Sequence, residues 1–178
     1  MSLAVEQCKQ WLEEIVIGLN LCPFARKPWL DHKVRFVGFA TRKKSELLLT
    51  IAQEIELLIA DTDMETTLIV LENTGKQFHD YLHLLELAEQ FLEKQGYAGE
   101  FQLASFHPGY CFADTGIDDV ENYTNRSPWP IIHILRESSI SDGLANYQEP
   151  HSIYEKNIAN CKAKGLNYFL TWFEQLKP

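Results

Sequence analysis

The sequence predicts one α/β domain, in which helices pack on a sheet of three or slightly more strands and the C-terminal part is helical. Amphipathic segments with helical spacing alternate with short apolar segments. The 178 residues, 46% of them hydrophobic, suit a single core. Strand–helix–strand units normally give parallel strand pairs with right-handed crossovers. A ferredoxin-like α+β sheet is the main alternative.

The first half of the chain alternates between helix and strand. Apolar residues recur at helical spacing over residues 3–19. Residues 33–39 alternate in polarity and predict a strand. Helical spacing returns over residues 43–60. The continuous β-branched run Thr66–Leu71 is typical of a strand buried on both faces.

The pattern continues with a helix over residues 77–95, which Gly96 ends, and a third strand over Phe101–Phe106. A later helix is expected to begin at Pro150. Residues 166–176 then predict a final helix rich in aromatic residues.

Ser127 followed by Pro128 is typical of a helix start, with serine at the N-cap and proline at the first helical position. We therefore expect a helix from residue 128 to about 140. On such a helix Trp129, His133 and Arg136 would share one face.

Residues 106–136 are the most informative stretch, because prolines and aromatic rings there surround many ionisable groups. Stiff loops of this kind often carry functional sites. In open α/β sheets, ligands gather at the carboxyl ends of strands. Residues 107–114 would lie at such an end if the third strand is parallel to the first two.

An anion site is the first candidate within this stretch. Asn125, Arg126 and Ser127 would lie at the predicted helix start, where free N–H groups favour anions. The remaining substrate-binding candidates are Arg136, Tyr110 and Trp129. The alternative is an ordinary capped helix, with Arg126 in a structural salt bridge to an acidic residue of the 118–121 segment.

Acid/base chemistry is the second candidate. His107 and His133 would move protons, and Asp114 would orient one imidazole. The alternative is that His107, next to a proline at a strand end, hydrogen-bonds backbone and fixes the turn.

Cysteine chemistry is the third candidate. Cys111 is a possible nucleophile, and Cys22 is a weaker one; a buried, inert thiol is the usual alternative. Zinc could bind His107, Cys111 and His133 with Asp114 or Cys22 as the fourth ligand. Because no compact ligand spacing occurs, we predict neither metal nor cofactor.

Two other motifs fall short of a function. The Gly75-Lys76 pair follows a strand and precedes a helix, but Val70 and Gln77 replace the residues that a P-loop needs. His79 and His83 lie one helical turn apart, but Asp80 stands where zinc proteases have glutamate. We expect a solvated face there.

Composition narrows the function further. The net charge of −9 and the pI of about 5.1 argue against general nucleic-acid binding. No apolar run is long enough for a membrane span, and the first residues do not have the pattern expected of a secretory signal. The four cysteines form no CxxC pair. We expect a cytoplasmic protein with a small anionic partner, and its oligomeric state is left open.

Five blocks of the chain form a distinctive signature: Gly-Leu-Asn-Leu-Cys-Pro-Phe-Ala at 18–25, Phe-His-Pro-Gly-Tyr at 106–110, Asn-Tyr-Thr-Asn-Arg-Ser-Pro-Trp-Pro at 122–130, His-Ile-Leu-Arg-Glu at 133–137 and Ile-Tyr-Glu-Lys-Asn-Ile-Ala at 153–159. Together they resemble a family of bacterial proteins that carry a single domain of unknown function. The resemblance implies a one-domain bacterial protein and no particular activity.

Residues 18–26 could fold against residues 107–136 and lend Asn20, Cys22 or Arg26 to the same cleft. We favour a tight helix-to-strand connection instead, with Cys22 and Phe24 in the core.

The leading hypothesis is a small enzyme that binds an anionic metabolite, such as a phosphorylated one, and uses histidine acid/base chemistry. A non-catalytic ligand-binding or protein-interaction module and a zinc protein are the alternatives. The leading hypothesis predicts that Arg126→Ala abolishes ligand binding and leaves the fold intact.

Overall fold

The computed structural model describes residues 2–145, 147, 149 and 152–176. A π-helical stretch, Leu12–Ile17, continues the first helix, and a 3-10 helix spans Val120–Thr124. The other elements, in chain order, are α1 (Leu3–Trp11), α2 (Arg26–Leu30), β1 (Val34–Phe39), α3 (Lys44–Ala60), β2 (Thr66–Leu71), α4 (Phe78–Gln95), β3 (Phe101–Phe106), β4 (Ile131–Arg136), α5 (Glu137–Ala145), α6 (Ile153–Lys164) and α7 (Leu166–Gln175).

The four strands form one mixed sheet in the order β1-β2-β4-β3. β1 and β2 are parallel, whereas β4 is antiparallel to both of its neighbours. β1, β2 and β3 therefore run in the same direction, and β4 returns between β2 and β3. The predicted α/β class is confirmed. A helix precedes each of β2 and β3, so the chain does not follow the β-α-β-β-α-β order of a ferredoxin-like fold.

Helices cover both faces of the sheet, because alternate residues of the buried strands point to opposite sides. On one face, Ile69 and Ile132 pack with apolar residues of α3 and α4. On the other face, Leu68 and Ile131 pack with α1, the π-helical stretch, α6 and α7. We call these the α3–α4 face and the α1 face. Every residue of β2 is buried, as predicted for a strand covered on both sides.

The helix predicted from residue 128 to about 140 is wrong. Ile131–Arg136 is strand β4, and a helix begins only at Glu137. The Ser127 hydroxyl donates to the carbonyl oxygen of Trp129 at 2.5 Å and caps no helix. Three of the six residues of β4 are isoleucines, and β-branched side chains suit a strand between two neighbours. The shared helical face of Trp129, His133 and Arg136 therefore does not exist.

The other predicted elements agree with the structure to within a few residues, whereas α2 and the 3-10 helix were not predicted. The first helix widens into a π-helix after Trp11 and still buries its apolar stripe. Pro150 lies outside the described residues, and the helix expected there is described from Ile153. Among the helices of the described chain, none has the length and apolar character that crossing a bilayer requires.

Candidate functional site

The carboxyl ends of β1, β2 and β3 meet at one edge of the sheet. Residues 107–114 follow β3 there, as predicted, because β3 runs parallel to β1 and β2. The loop after β1 and the loop after β2 lie side by side at this edge. Asn73 Nδ2 joins them by donating to the carbonyl oxygen of Ala40 at 2.8 Å. This carboxyl edge is where an open α/β sheet usually binds ligands.

An open depression of about 300 Å³ lies at the carboxyl edge. Its lining residues come from the two loops and the first turn of α4: Arg42, Asn73, Thr74, Gly75, Lys76, Gln77 and Asp80. Arg42 and Lys76 are exposed, and within the described part of the chain neither forms an ion pair or a side-chain hydrogen bond. No side chain caps the start of α4, so its first N–H groups stay available. The depression therefore combines two unpaired cations with a helix N-terminus.

His107 holds the loop that lines this depression. Its Nδ1 accepts from the Gly109 amide at 2.9 Å, so the ring is the tautomer whose Nε2–H donates to the Gly75 carbonyl, also at 2.9 Å. Only 2% of His107 is exposed, and burial lowers its pKa. Gly75 has a φ of +62°, a conformation that glycine adopts readily. His107 therefore acts as a neutral brace, in line with the structural alternative.

The His107 ring packs against α4 on the α3–α4 face of the sheet. Its centroid lies 5.2 Å from that of Phe78 and 5.1 Å from that of Tyr81. The Tyr81 hydroxyl donates to the carbonyl oxygen of Ile131 at 2.6 Å, which ties α4 to the start of β4. Tyr110 packs on Phe78 at 5.1 Å and extends this aromatic cluster toward the 110–116 loop.

His133 lies in the middle of β4 and points to the α1 face. Its Nε2 lies 2.6 Å from the Thr66 hydroxyl oxygen, and that hydroxyl donates to the carbonyl oxygen of Ile134. The imidazole therefore donates from Nε2 and keeps a lone pair on Nδ1. Burial lowers its pKa to about 4. His133 as a whole residue is half-buried, and no partner for Nδ1 occurs among the residues described.

The structure does not bring the three proposed acid/base residues together. His107 and His133 face opposite sides of the sheet. Asp114 is exposed in the loop after β3, and neither imidazole has it as a hydrogen-bond partner. The predicted arrangement of two histidines and one carboxylate around a single ligand is therefore absent from this conformation.

Arg126 and its neighbours brace the 106–136 segment. Arg126 is only 8% exposed; its Nε donates to the Tyr110 carbonyl at 3.0 Å and its Nη2 to the Ile117 carbonyl at 2.5 Å. Asn125 Nδ2 donates to the carbonyl oxygen of Ser105 at 3.2 Å. The guanidinium of Arg126 lies over the Tyr123 ring at 4.7 Å. These groups are directed at backbone and rings within the fold.

Arg136 and Trp129 bind partners other than those of Arg126. Arg136 ends β4 at the opposite edge of the sheet, where it donates to the carbonyl oxygens of Leu58, Asp61 and Met64 near the end of α3. Trp129 Nε1 donates to Gln7 Oε1 at 2.7 Å and so fixes the segment to α1. The substrate-binding residues predicted from the sequence thus do not form one pocket.

The two candidate cysteines lie in different surroundings. The Cys111 thiol lies 3.5 Å from the carbonyl oxygen of Thr115 and 3.9 Å from Asn122 Nδ2, within its own loop. Burial at the edge of the core on the α1 face raises the pKa of the Cys22 thiol. Over the described ranges, no three histidine, cysteine, aspartate or glutamate side chains are grouped so as to hold a metal ion.

Helix α6 connects the sequence blocks that carry the family resemblance. Asn157 Nδ2 donates to the Leu21 carbonyl at 2.6 Å, and Asn160 Nδ2 donates to the Leu19 carbonyl at 3.0 Å. Lys162 pairs with Glu121 of the 3-10 helix at 2.9 Å. Helix α6 therefore holds the 18–25 block and the 3-10 helix in which the 122–130 block begins.

The 18–26 block itself is a tight connection between the first helix and α2. Leu21 is buried, and Cys22 packs at the edge of the core on the α1 face. Asn20 has a φ of +53°, and Arg26 Nη2 donates to the Ile17 carbonyl at 3.3 Å. Phe24 packs on the Tyr147 ring at 5.8 Å, to one side of this core.

A family model described as protein of unknown function (DUF1415) matches residues 3–170. The chain belongs to this family. The membership agrees with the resemblance seen in the sequence blocks. No curated protein matches the chain, and no solved structure matches it. The family's description names no activity, so the proposals for this chain depend on its own geometry.

Sequence reasoning missed Arg42 and Lys76 as candidate binding residues. The signal for Lys76 was present, because Gly75-Lys76 separates a buried strand from a helix, although the pattern is not a P-loop. Arg42 stands between β1 and α3 in a segment that carries no motif. Only the parallel pairing of β1 with β2 brings the two loops together.

Proposed function

We propose that this protein binds a small anionic metabolite, carrying a phosphate or carboxylate group, in the depression at the carboxyl edge. The observation that carries the proposal is that two cations without an ion-pair partner, Arg42 and Lys76, line the depression beside the uncapped start of α4. The Arg42 guanidinium can bind such an anion through bidentate hydrogen bonds, and the Lys76 ammonium adds a point charge.

The two cations of the depression stand out against the negative net charge of the chain. The net charge is −9, so a free anion is repelled by most of the surface. Within the depression one carboxylate, Asp80, opposes the two cations. The positive end of the α4 dipole adds to the attraction for an anion.

The lining favours a ligand-binding protein over an acid/base enzyme. Of the residues that line the depression, none is a histidine or a cysteine. His107 does not line the depression. Its Nε2–H donates to the Gly75 carbonyl and its Nδ1 accepts from the Gly109 amide, so neither ring nitrogen is available to a ligand. We therefore give His107 the role of positioning the loop, and the non-catalytic alternative becomes the better supported function.

Isothermal titration calorimetry with inorganic phosphate and a panel of phosphorylated and carboxylated metabolites tests this proposal. Binding is expected to weaken in Arg42→Ala and in Lys76→Ala, and to weaken as salt rises, because exposed charges are screened. Lys94→Ala is the matched control, since it removes an exposed cation at the other end of α4. Equal affinity in all four proteins, or no binding by the unsubstituted chain, would refute the proposal.

We also propose that the protein is of bacterial origin and is located in the cytoplasm. The support is chemical: the chain carries four cysteines, and all four are free thiols. The family resemblance supports the bacterial origin.

A further inference from the structure

An exposed pair of imidazoles lies on the first two turns of α4. His79 and His83 are one helical turn apart, and their Nε2 atoms lie 3.0 Å from each other. The ring centroids are 4.5 Å apart, with the planes at 78°. Both rings are open to solvent, and 56% of the His83 side chain is exposed.

The facing nitrogens are the atoms that bind metals. A metal–imidazole bond is about 2.0–2.1 Å long, so two nitrogens about 3 Å apart can contact one cation at the same time. Without a metal, one Nε2–H donates to the other Nε2. When a cation binds, the donating ring exchanges its proton with water and carries it on Nδ1 instead, which leaves a lone pair on each Nε2.

We propose that His79 and His83 form a two-imidazole site for a first-row transition cation, with water completing the coordination. Imidazole nitrogen suits Ni²⁺, Cu²⁺ and Zn²⁺ rather than Mg²⁺ or Ca²⁺. The affinity is expected to follow Co²⁺ < Ni²⁺ < Cu²⁺ > Zn²⁺. The site is separate from the anion proposal and does not depend on it.

Glu86 supports the tautomer that the site requires. Its Oε2 lies 3.9 Å from Nδ1 of His83, one turn further along α4. That distance is too long for a hydrogen bond but favours a proton on Nδ1, away from the metal-binding nitrogen.

Calorimetric titration of the tag-free full chain with Ni²⁺ and Zn²⁺, in a buffer that does not coordinate metals, tests the site. We expect one equivalent of Ni²⁺ to bind. His79→Ala and His83→Ala should each weaken binding by about tenfold or more, because loss of even second-shell groups costs metal sites about 10- to 100-fold. The control is His32→Asn, which removes an exposed imidazole outside α4 and keeps a residue that tolerates the φ of +58° at this position.

A second measurement does not require a variant. Nitrogen-15 spectra of the imidazoles should show the Nε2 resonances of His79 and His83 shifting on addition of Zn²⁺, while those of His32 stay in place. Unchanged resonances, or binding that survives both alanine substitutions, would overturn the proposal. Binding that disappears only in Cys111→Ser would overturn it too, by assigning the metal to a thiol.

Discussion

The imidazoles of His107 and His133 lie on opposite faces of one sheet, although β3 and β4 are neighbours. His107 packs against Tyr81 of α4, whereas His133 packs beside Phe106 and binds the Thr66 hydroxyl. Each ring is held as a neutral group whose Nε2–H donates to an oxygen. The two histidines therefore contribute separately to the stability of the fold, and each can be tested by its own substitution.

His133 is expected to make folding stability fall in weak acid. Its folded pKa is about 4, against about 6.5 in an unfolded chain. Between these values the unfolded chain binds the additional proton, so stability is complete above pH ~6.5 and decreases as the pH falls toward ~4. Each pKa unit corresponds to about 1.4 kcal/mol. Urea unfolding at several pH values in this window measures the loss.

His133→Gln is the matched variant, because its amide can still donate to Thr66 and does not titrate. The slope of unfolding free energy against pH should be shallower in this variant than in the unsubstituted chain. Identical slopes would mean that His133 is protonated without cost in the folded state.

His107→Ala is expected to destabilise the protein by about 2–4 kcal/mol, since it removes one buried and one partly buried hydrogen bond and leaves a cavity beside Tyr81. The Gly75 loop should also loosen, which would weaken phosphate binding at the carboxyl edge. His32→Asn, at an exposed position whose φ of +58° asparagine tolerates, should change stability by less than about 0.5 kcal/mol. Denaturant unfolding compares the two, and equal stabilities would remove the bracing role of His107.

Arg126→Ala is expected to destabilise the fold by at least about 2 kcal/mol, contrary to the prediction from sequence that the fold would stay intact. The carbonyl oxygens of Tyr110 and Ile117 would lose a charged donor that is itself buried. Arg42→Ala is the control because Arg42 is exposed and unpaired within the described residues. Thermal unfolding of both variants checks this, and a stable Arg126→Ala protein would contradict it.

Asn157→Ala is expected to free the 18–25 block from α6. The Leu21 carbonyl would lose its hydrogen bond, at a cost of about 0.5–1.5 kcal/mol. The Cys22 thiol, next in the chain, should then react faster with an alkylating reagent, measured by peptide mass spectrometry. Cys111 serves as the internal control, since its contacts lie within its own loop. A Cys22 rate that does not change would indicate that α6 does not restrain the block.

Much of the fold was predictable because burial leaves a periodic pattern. Thr66–Leu71 and Phe101–Phe106 have the same bounds in the sequence-based prediction and in the structure. Ile131–Arg136 was mistaken for a helix because Ser127 and Pro128 imitate a helix start. A short apolar run has the same local appearance in a buried strand as in a buried helix. Its pairing with β2 and β3, which decides between them, involves residues far away in sequence.

The candidate site was less predictable than the fold. Residue types identified His107 and Arg126 as unusual, and both are indeed buried polar groups. Residue types cannot show whether a polar group faces a ligand or a backbone carbonyl. Arg42 and Lys76 are the reverse case, because nothing in the sequence distinguishes them from other surface cations. Only the pairing of β1 with β2 brings both of them to the same depression.

The division of the core between two faces sets an order for the growing chain during synthesis. The core of the α3–α4 face draws on Phe39 through Ile134, so all of its apolar side chains leave the ribosome well before the last helices do. The core of the α1 face joins Ala4 to Cys161, Phe169 and Trp172. Part of the α1 stripe packs on β1 and β2, but the side of this core that α6 and α7 cover stays open until those later helices are made. During that interval the nascent chain exposes a surface that chaperones recognise.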